Sequence, residues 1–269
     1  RRYRAEAKPE KEDTCSMCVN FCAVKNTNRI LDGEQGKNVV SSTHMFGNTF
    51  DLLNRSLRKF GVGLHTTDLT DMEKVKQAVD DNTCCIFVEI ITNPQMEVAD
   101  LAALASVAHE HHIPLVADTT TIPFTMFSAK KLGVDIEVVS STKYISGGAT
   151  SLGGLIIDYG TDYTQGFTST IKSELLFNFG AYMTPQVAFM QTMGLETLDA
   201  RYRVQSANAL ELAKKLCGLK QVKSVNYVGL EDNKFYKLAQ RQFGKTAGAM
   251  VCIDLEDEKS CFSFLNNLK

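Results

Sequence analysis

No stretch of the 269-residue sequence holds the ~20 consecutive apolar residues that a membrane-spanning helix needs. Neither sign of charge dominates. The 29 basic and 31 acidic residues leave a formal net charge of −2, which gives no electrostatic case for nucleic acid or an anionic membrane surface. The basic opening Arg1-Arg-Tyr-Arg has no apolar stretch behind it, so nothing there reads as a secretory signal. A cytoplasmic setting is the default expectation. A disulfide framework is missing too. Of eight cysteines, Cys84, Cys85, Cys217, Cys252 and Cys261 are scattered through apolar surroundings and are expected to be small buried hydrophobes. The other three crowd together at Cys15, Cys18 and Cys22. What the chain does have is hydrophobic material, 44% of its residues, enough for one large α/β domain or two small ones.

The character of the sequence changes near residues 35–37. Before that point lies a polar, Lys/Glu-rich segment with little helical or strand period. After it, β-branched runs alternate with amphipathic segments, the pattern of βαβ units around a mostly parallel sheet with helices on both faces. Strands are expected at 38–41, 63–67, 83–89, 114–118, 136–140 and 154–157. Thr70-Asp-Met-Glu73 reads as a capping box opening a helix to about residue 80. Asp100 is expected to cap a helix whose Leu101, Leu104, Ala105 and Ala108 fall on one face. A helix over 126–132 should end at Gly133. Beyond residue 159 the pattern shifts to helices at 185–193 and 196–216, strands at 222–228 and 249–255, and a helix at 257–268. That is the start of a small α+β domain. The organisation expected is a Cys-bearing segment 1–35, a large domain 36–195, and a connecting helix with part of a small domain over 196–269.

Two residues carry chemistry by their placement. Asp118 ends the run Pro114-Leu-Val-Ala-Asp118, and Lys143 follows the run Ile136-Glu-Val-Val-Ser140. A parallel crossover between the two strands brings both side chains to the carboxyl edge of the sheet, where open α/β sheets bind ligands. An acid and an amine there suit pyridoxal 5′-phosphate (PLP). The carboxylate keeps the pyridine nitrogen protonated, and the amine forms an imine. Ser140 and Thr142 flank the lysine with hydroxyl donors suited to a phosphate. Either feature alone is also what a helix-capping aspartate or an exposed Ser-Ser-Thr-Lys turn would look like. Together, on this fold pattern, they point to the cofactor.

The segments Val88-Glu-Ile-Ile-Thr-Asn93-Pro94, Val116-Ala-Asp118-Thr-Thr and Ser140-Ser-Thr142-Lys143-Tyr144 resemble, in unbroken order, the core motifs of the Cys/Met-metabolism PLP enzymes. The resemblance implies a fold-type-I PLP-dependent transferase with PLP as cofactor. It implies Lys143 as Schiff-base lysine and proton carrier, Asp118 as partner of the ring nitrogen, Ser140 and Thr142 as phosphate ligands, and Asn93 as partner of the phenolic oxygen. Phe46, in Ser42-Thr-His-Met-Phe46-Gly47-Asn-Thr49, falls where the family usually has a tyrosine against the cofactor. Its ring can stack, but it has no phenol to move a proton. Within the family, Asn178-Phe-Gly-Ala-Tyr182-Met-Thr-Pro185 and Gly194-Leu-Glu-Thr-Leu198 look most like O-acetylhomoserine sulfhydrylases. The implied reaction is γ-replacement on O-acetylhomoserine with sulfide or a thiol, the γ-lyase reaction being the alternative. The implied partners are a small amino-acid substrate and further copies of the chain, as a dimer or tetramer.

Three further departures accompany Phe46. Gly147-Gly148 stands where the family usually reads Gly-His. The family's N-terminal Gly-rich segment and its C-terminal carboxylate-binding arginine have no counterpart, so the resemblance implies a fragment truncated at both ends and impaired in turnover. Residues 1–35 instead look like the C-terminal tail of phosphomethylpyrimidine synthase, in which three cysteines ligate a [4Fe–4S] cluster. Cys15, Cys18 and Cys22 are the metal-ligand candidates on that reading, and an inactive chimeric chain is the corresponding alternative.

Overall fold

The computed structural model describes residues 37–268. Five of the six expected strands of the large sheet run parallel: β1 (Asn38–Ser42), β2 (Gly63–Thr67), β3 (Thr83–Glu89), β4 (Leu115–Asp118) and β5 (Ile136–Val139). The sixth, β6 (Leu155–Asp158), pairs antiparallel with β5 at one edge. The order is β2-β1-β3-β4-β5-β6. The chain therefore leaves β1 toward one side and returns through β3 toward the other. That reversal opens a crevice between the carboxyl ends of β1 and β3.

Burial follows from two-sided cover. All five residues of β1 are buried, as a central parallel strand requires. Helix α1 (Met72–Ala78) and helix α2 (Leu101–Glu110) pack on the sheet, α2 burying Leu101, Leu104, Ala105 and Ala108 against Ile86 and Leu115. Asp100 caps α2 as expected, accepting the Ala103 N–H at 3.3 Å. Gly133 ends its turn in the left-handed region with φ +86°, and a Cβ there would lie 2.5 Å from that of Ala105. Backbone geometry and close packing both demand glycine at that position.

Three expectations are corrected. The α1 cap is Asp71, which accepts from the N–H groups of Glu73 and Lys74, because Thr70 donates both its N–H and its hydroxyl to Asp68. The helix expected over 126–132 is reduced to a 3-10 turn at Lys130–Leu132. Its Phe127 ring instead packs edge-on to Phe243 at 5.0 Å, and that tertiary contact overrides the local period. The scattered cysteines are not a buried set: Cys84, Cys217 and Cys261 are exposed and Cys85 and Cys252 half-buried, the exposed pair Cys217 and Cys261 lying on outer helices.

After β6 come helix α3 (Pro185–Glu196), the 20-residue helix α4 (Leu198–Cys217), a two-stranded antiparallel sheet of β7 (Val222–Asn226) and β8 (Cys252–Leu255), helix α5 (Tyr236–Phe243) and helix α6 (Glu258–Asn267). Helix α5 docks on the large sheet's layer through Gln242. Its Oε1 accepts the Leu101 N–H at 2.8 Å, and its Nε2 donates to the Ala99 carbonyl at 2.9 Å. No helix among the described residues is long and apolar enough to cross a membrane.

Candidate active site

Strand pairing places the acids. Glu89 and Asp118 are register partners at the carboxyl ends of β3 and β4, and Asp118 is the partner of Val138 on β5. The Thr120 N–H donates to Asp118 Oδ1 at 2.8 Å, while Thr120 Oγ1 receives the Ser140 N–H at 2.8 Å. Thr120 thus ties the acid to the loop that carries the lysine. Burial pushes the Asp118 carboxyl up from its ordinary range, and the hydrogen bonds from Thr120 pull it partly back.

Lys143 sits in the turn after β5, with its N–H on the Ser140 carbonyl at 3.2 Å and its side chain exposed. The Ser140 hydroxyl takes no protein partner among the described residues. Thr142 differs: its hydroxyl accepts the Gly153 N–H at 3.0 Å and donates to the Gly153 carbonyl at 3.2 Å, so it serves the main chain of the turn leading into β6. Asn93 is exposed at the end of the β3 loop, and Phe46 is 45% exposed across the crevice. All six residues singled out within the described part of the sequence therefore gather along one edge of the sheet. Cys15, Cys18 and Cys22 lie outside the described residues. No group of three or more potential metal ligands occurs among the residues that are described.

Sequence reasoning missed residues that hold this edge together. The Glu89 carboxylate, 8% exposed, accepts the Phe46 N–H at 2.6 Å. The signal was available, since Glu89 ends an apolar strand just as Asp118 does. Arg201 on α4 left no such signal. Its guanidinium donates to the Tyr144 carbonyl at 2.9 Å, beside Lys143, and to the Gly194 carbonyl at 2.7 Å. Gly194 lets α3 lie directly on the lysine turn, since a Cβ there would stand 2.0 Å from the Ile145 carbonyl oxygen.

Burial pushes the Glu89 carboxyl up to about 7, the neighbouring Asp118 charge adds to the rise, and the N–H groups of Phe46 and Asn93 oppose it. Glu89 also shares a small cavity with Glu97, which is paired with His44 at 2.9 Å. A carboxyl raised in the folded state binds its proton more tightly there than in the unfolded chain. It therefore favours folding increasingly as pH falls from above about 7 toward the ordinary carboxylate value of 4.5. Chemical denaturation of the cofactor-free protein across that window should show a gain of at most about 3 kcal/mol that Glu89→Gln lacks. Parallel pH profiles for the two forms would contradict the shift.

The edge fits PLP in the chemistry of its donors. It offers a part-desolvated carboxylate, an exposed amine on the neighbouring strand's loop, a hydroxyl with no protein partner, and an open aromatic face. Fold and site together define a fold-type-I PLP enzyme. The family model for Cys/Met metabolism PLP-dependent enzymes matches residues 14–269, and the chain belongs to that family. The match opens ahead of the boundary expected at residue 35 and includes the three clustered cysteines. The chain is similar to an L-methionine gamma-lyase of Fusobacterium nucleatum, 34% identical over 237 residues that cover 87% of this chain and 58% of the relative. Less than two thirds of the length of other curated relatives, sulfhydrylases among them, is likewise spanned. Among solved structures it is similar to the O-acetylhomoserine sulfhydrylase of Wolinella succinogenes, with 38% identity, a TM-score of 0.78, and coverage of 87% of this chain and 72% of that one. A Campylobacter jejuni structure assigned as an O-acetylhomoserine (thiol)-lyase superposes with a TM-score of 0.83 at 26% identity, covering 92% of this chain and 68% of that one, and carries a pyridoxyl-lysine phosphate.

Proposed function

We propose that the protein catalyses PLP-dependent γ-replacement, converting O-acetylhomoserine and sulfide or a thiol to homocysteine or methionine and acetate. The observation that carries this reading is the placement of Asp118 and Lys143 at the ends of neighbouring strands, joined through Thr120 and Ser140. The similarity to the Wolinella sulfhydrylase adds the reaction type. When bound, PLP supplies an electron sink for the carbanion left after loss of the substrate's Cα proton.

The protein's residues do the rest. Asp118 would be the acid that keeps the ring nitrogen protonated. Lys143 would be the residue that holds the cofactor, and its Nζ would take the proton from the substrate's Cα. Ser140, with Thr142 beside it, would hold the phosphate. Asn93 would bind the phenolic oxygen, and Phe46 would cover the ring without offering a proton. The protein works in the cytoplasm as a homo-oligomer on this reading, the latter supported by the exposed rings of Phe60, Phe177, Phe179 and Phe189.

A γ-lyase is the second reading, favoured by the identity to the Fusobacterium enzyme. The two separate on co-substrate dependence. Acetate release from O-acetylhomoserine should require sulfide and yield homocysteine in equal amount. Release of acetate with 2-oxobutanoate and ammonia from the single substrate would establish the lyase instead.

A further inference from the structure

Glu89 has a place in the site that the acid–amine chemistry does not use. Its carboxylate stands on the β3 side of the crevice, and Oε1 takes the Phe46 N–H at 2.6 Å across 43 residues of sequence. Phe46 lies just ahead of the short helix Gly47–Asp51, with extended backbone angles of φ −57° and ψ 133°, and makes no side-chain cap to that helix. The other side-chain ties in the loop leaving β1 belong to His44, which donates its N–H to Ser42 Oγ and pairs with Glu97. Among the described residues, the Glu89 bond is the side-chain contact that holds the Phe46 backbone. Phe46 itself stands 45% exposed, with no place in the packed core, so its ring lies where its backbone puts it.

A buried carboxyl is an expensive anchor for a backbone amide, yet the bond it makes is short at 2.6 Å. We propose that Glu89 is a positioning residue, clamping the Phe46 backbone so that the aromatic ring is held over the edge where Asp118 and Lys143 meet the cofactor. This rests on the PLP reading of that edge. On this proposal Glu89 acts on the ring through the Phe46 backbone, its second backbone contact being the Asn93 N–H.

A double-mutant cycle on PLP affinity tests the clamp. Cofactor titration, followed by absorbance, compares the unaltered protein, Glu89→Ala, Phe46→Ala and the double variant. With Phe46 present, Glu89→Ala is expected to weaken PLP binding about tenfold, whereas in the Phe46→Ala background the further loss should be under about twofold. Glu89→Gln retains an acceptor at the same reach and should keep affinity within about threefold. Should Glu89→Ala not fold, Glu89→Asp replaces it: one methylene short, it keeps the charge, loses the bond, and should show the same dependence on Phe46. Equal losses in both backgrounds would overturn the clamp, because Glu89 would then act on the fold or the ligand directly. Failure of the unaltered protein to bind PLP would overturn the cofactor reading and this inference together.

Discussion

Replacing Lys143 with alanine should abolish covalent retention of the cofactor. In the unaltered protein incubated with PLP, borohydride reduction and peptide mass mapping should place the pyridoxyl group on Lys143. The Lys143→Ala protein should carry no such label. Turnover should fall by roughly 10²–10⁴-fold or more, because on the proposed mechanism the variant loses a proton carrier along with the covalent link. The expectation follows from topology: the lysine loop leaves β5 next to the strand that ends in Asp118, and its amine is exposed at the edge. Labelling of a different lysine at saturating cofactor would remove Lys143 from the mechanism.

Asp118→Asn should separate activity from stability. The amide keeps the size of the carboxylate and still accepts the Thr120 N–H, but it carries no charge for the ring nitrogen. Loss of one preorganised electrostatic group is expected to lower turnover on the order of 10²–10³-fold, with a smaller change in PLP affinity. The cofactor-free protein should unfold at the same temperature or higher, because burial disfavours the charged form of this acid and the substitution removes that charge. A large fall in stability with unchanged turnover would mean that Asp118 is a structural cap. A change in both would call for Asp118→Glu to distinguish charge from fit.

Strands were the legible part of the fold because parallel strands buried on both faces are short apolar runs. Leu115-Val-Ala-Asp118 announces both a strand and its end. Where tertiary contacts decide, the sequence pattern misleads or falls silent. Phe127 turns toward Phe243, so the helix expected around it does not form. Helix α5 went unread because it is eight residues long and no side chain caps its start, and its buried Gln242 shows its purpose only against the backbone of Ala99 and Leu101. The same division runs through the site. That Asp118, Ser140, Thr142 and Lys143 share one sheet edge was readable from local order. Arg201 reaches Tyr144 across 57 residues, and its role exists only once α4 is laid against the lysine turn.

The sequence spacing of the ties that join these elements also bears on how the fold assembles. Thr120 and Ser140 close a loop of 20 residues, Glu89 and Phe46 one of 43, and Gln242 and Leu101 one of 141. Closure entropy rises slowly with loop length, so each longer tie starts from a larger chain-ordering deficit. The acid and amine are therefore joined through the cheapest of these closures. In native-state hydrogen exchange, the amides of β4 and Ser140 should outlast that of Leu101, whose protection depends on the most distant partner of the three.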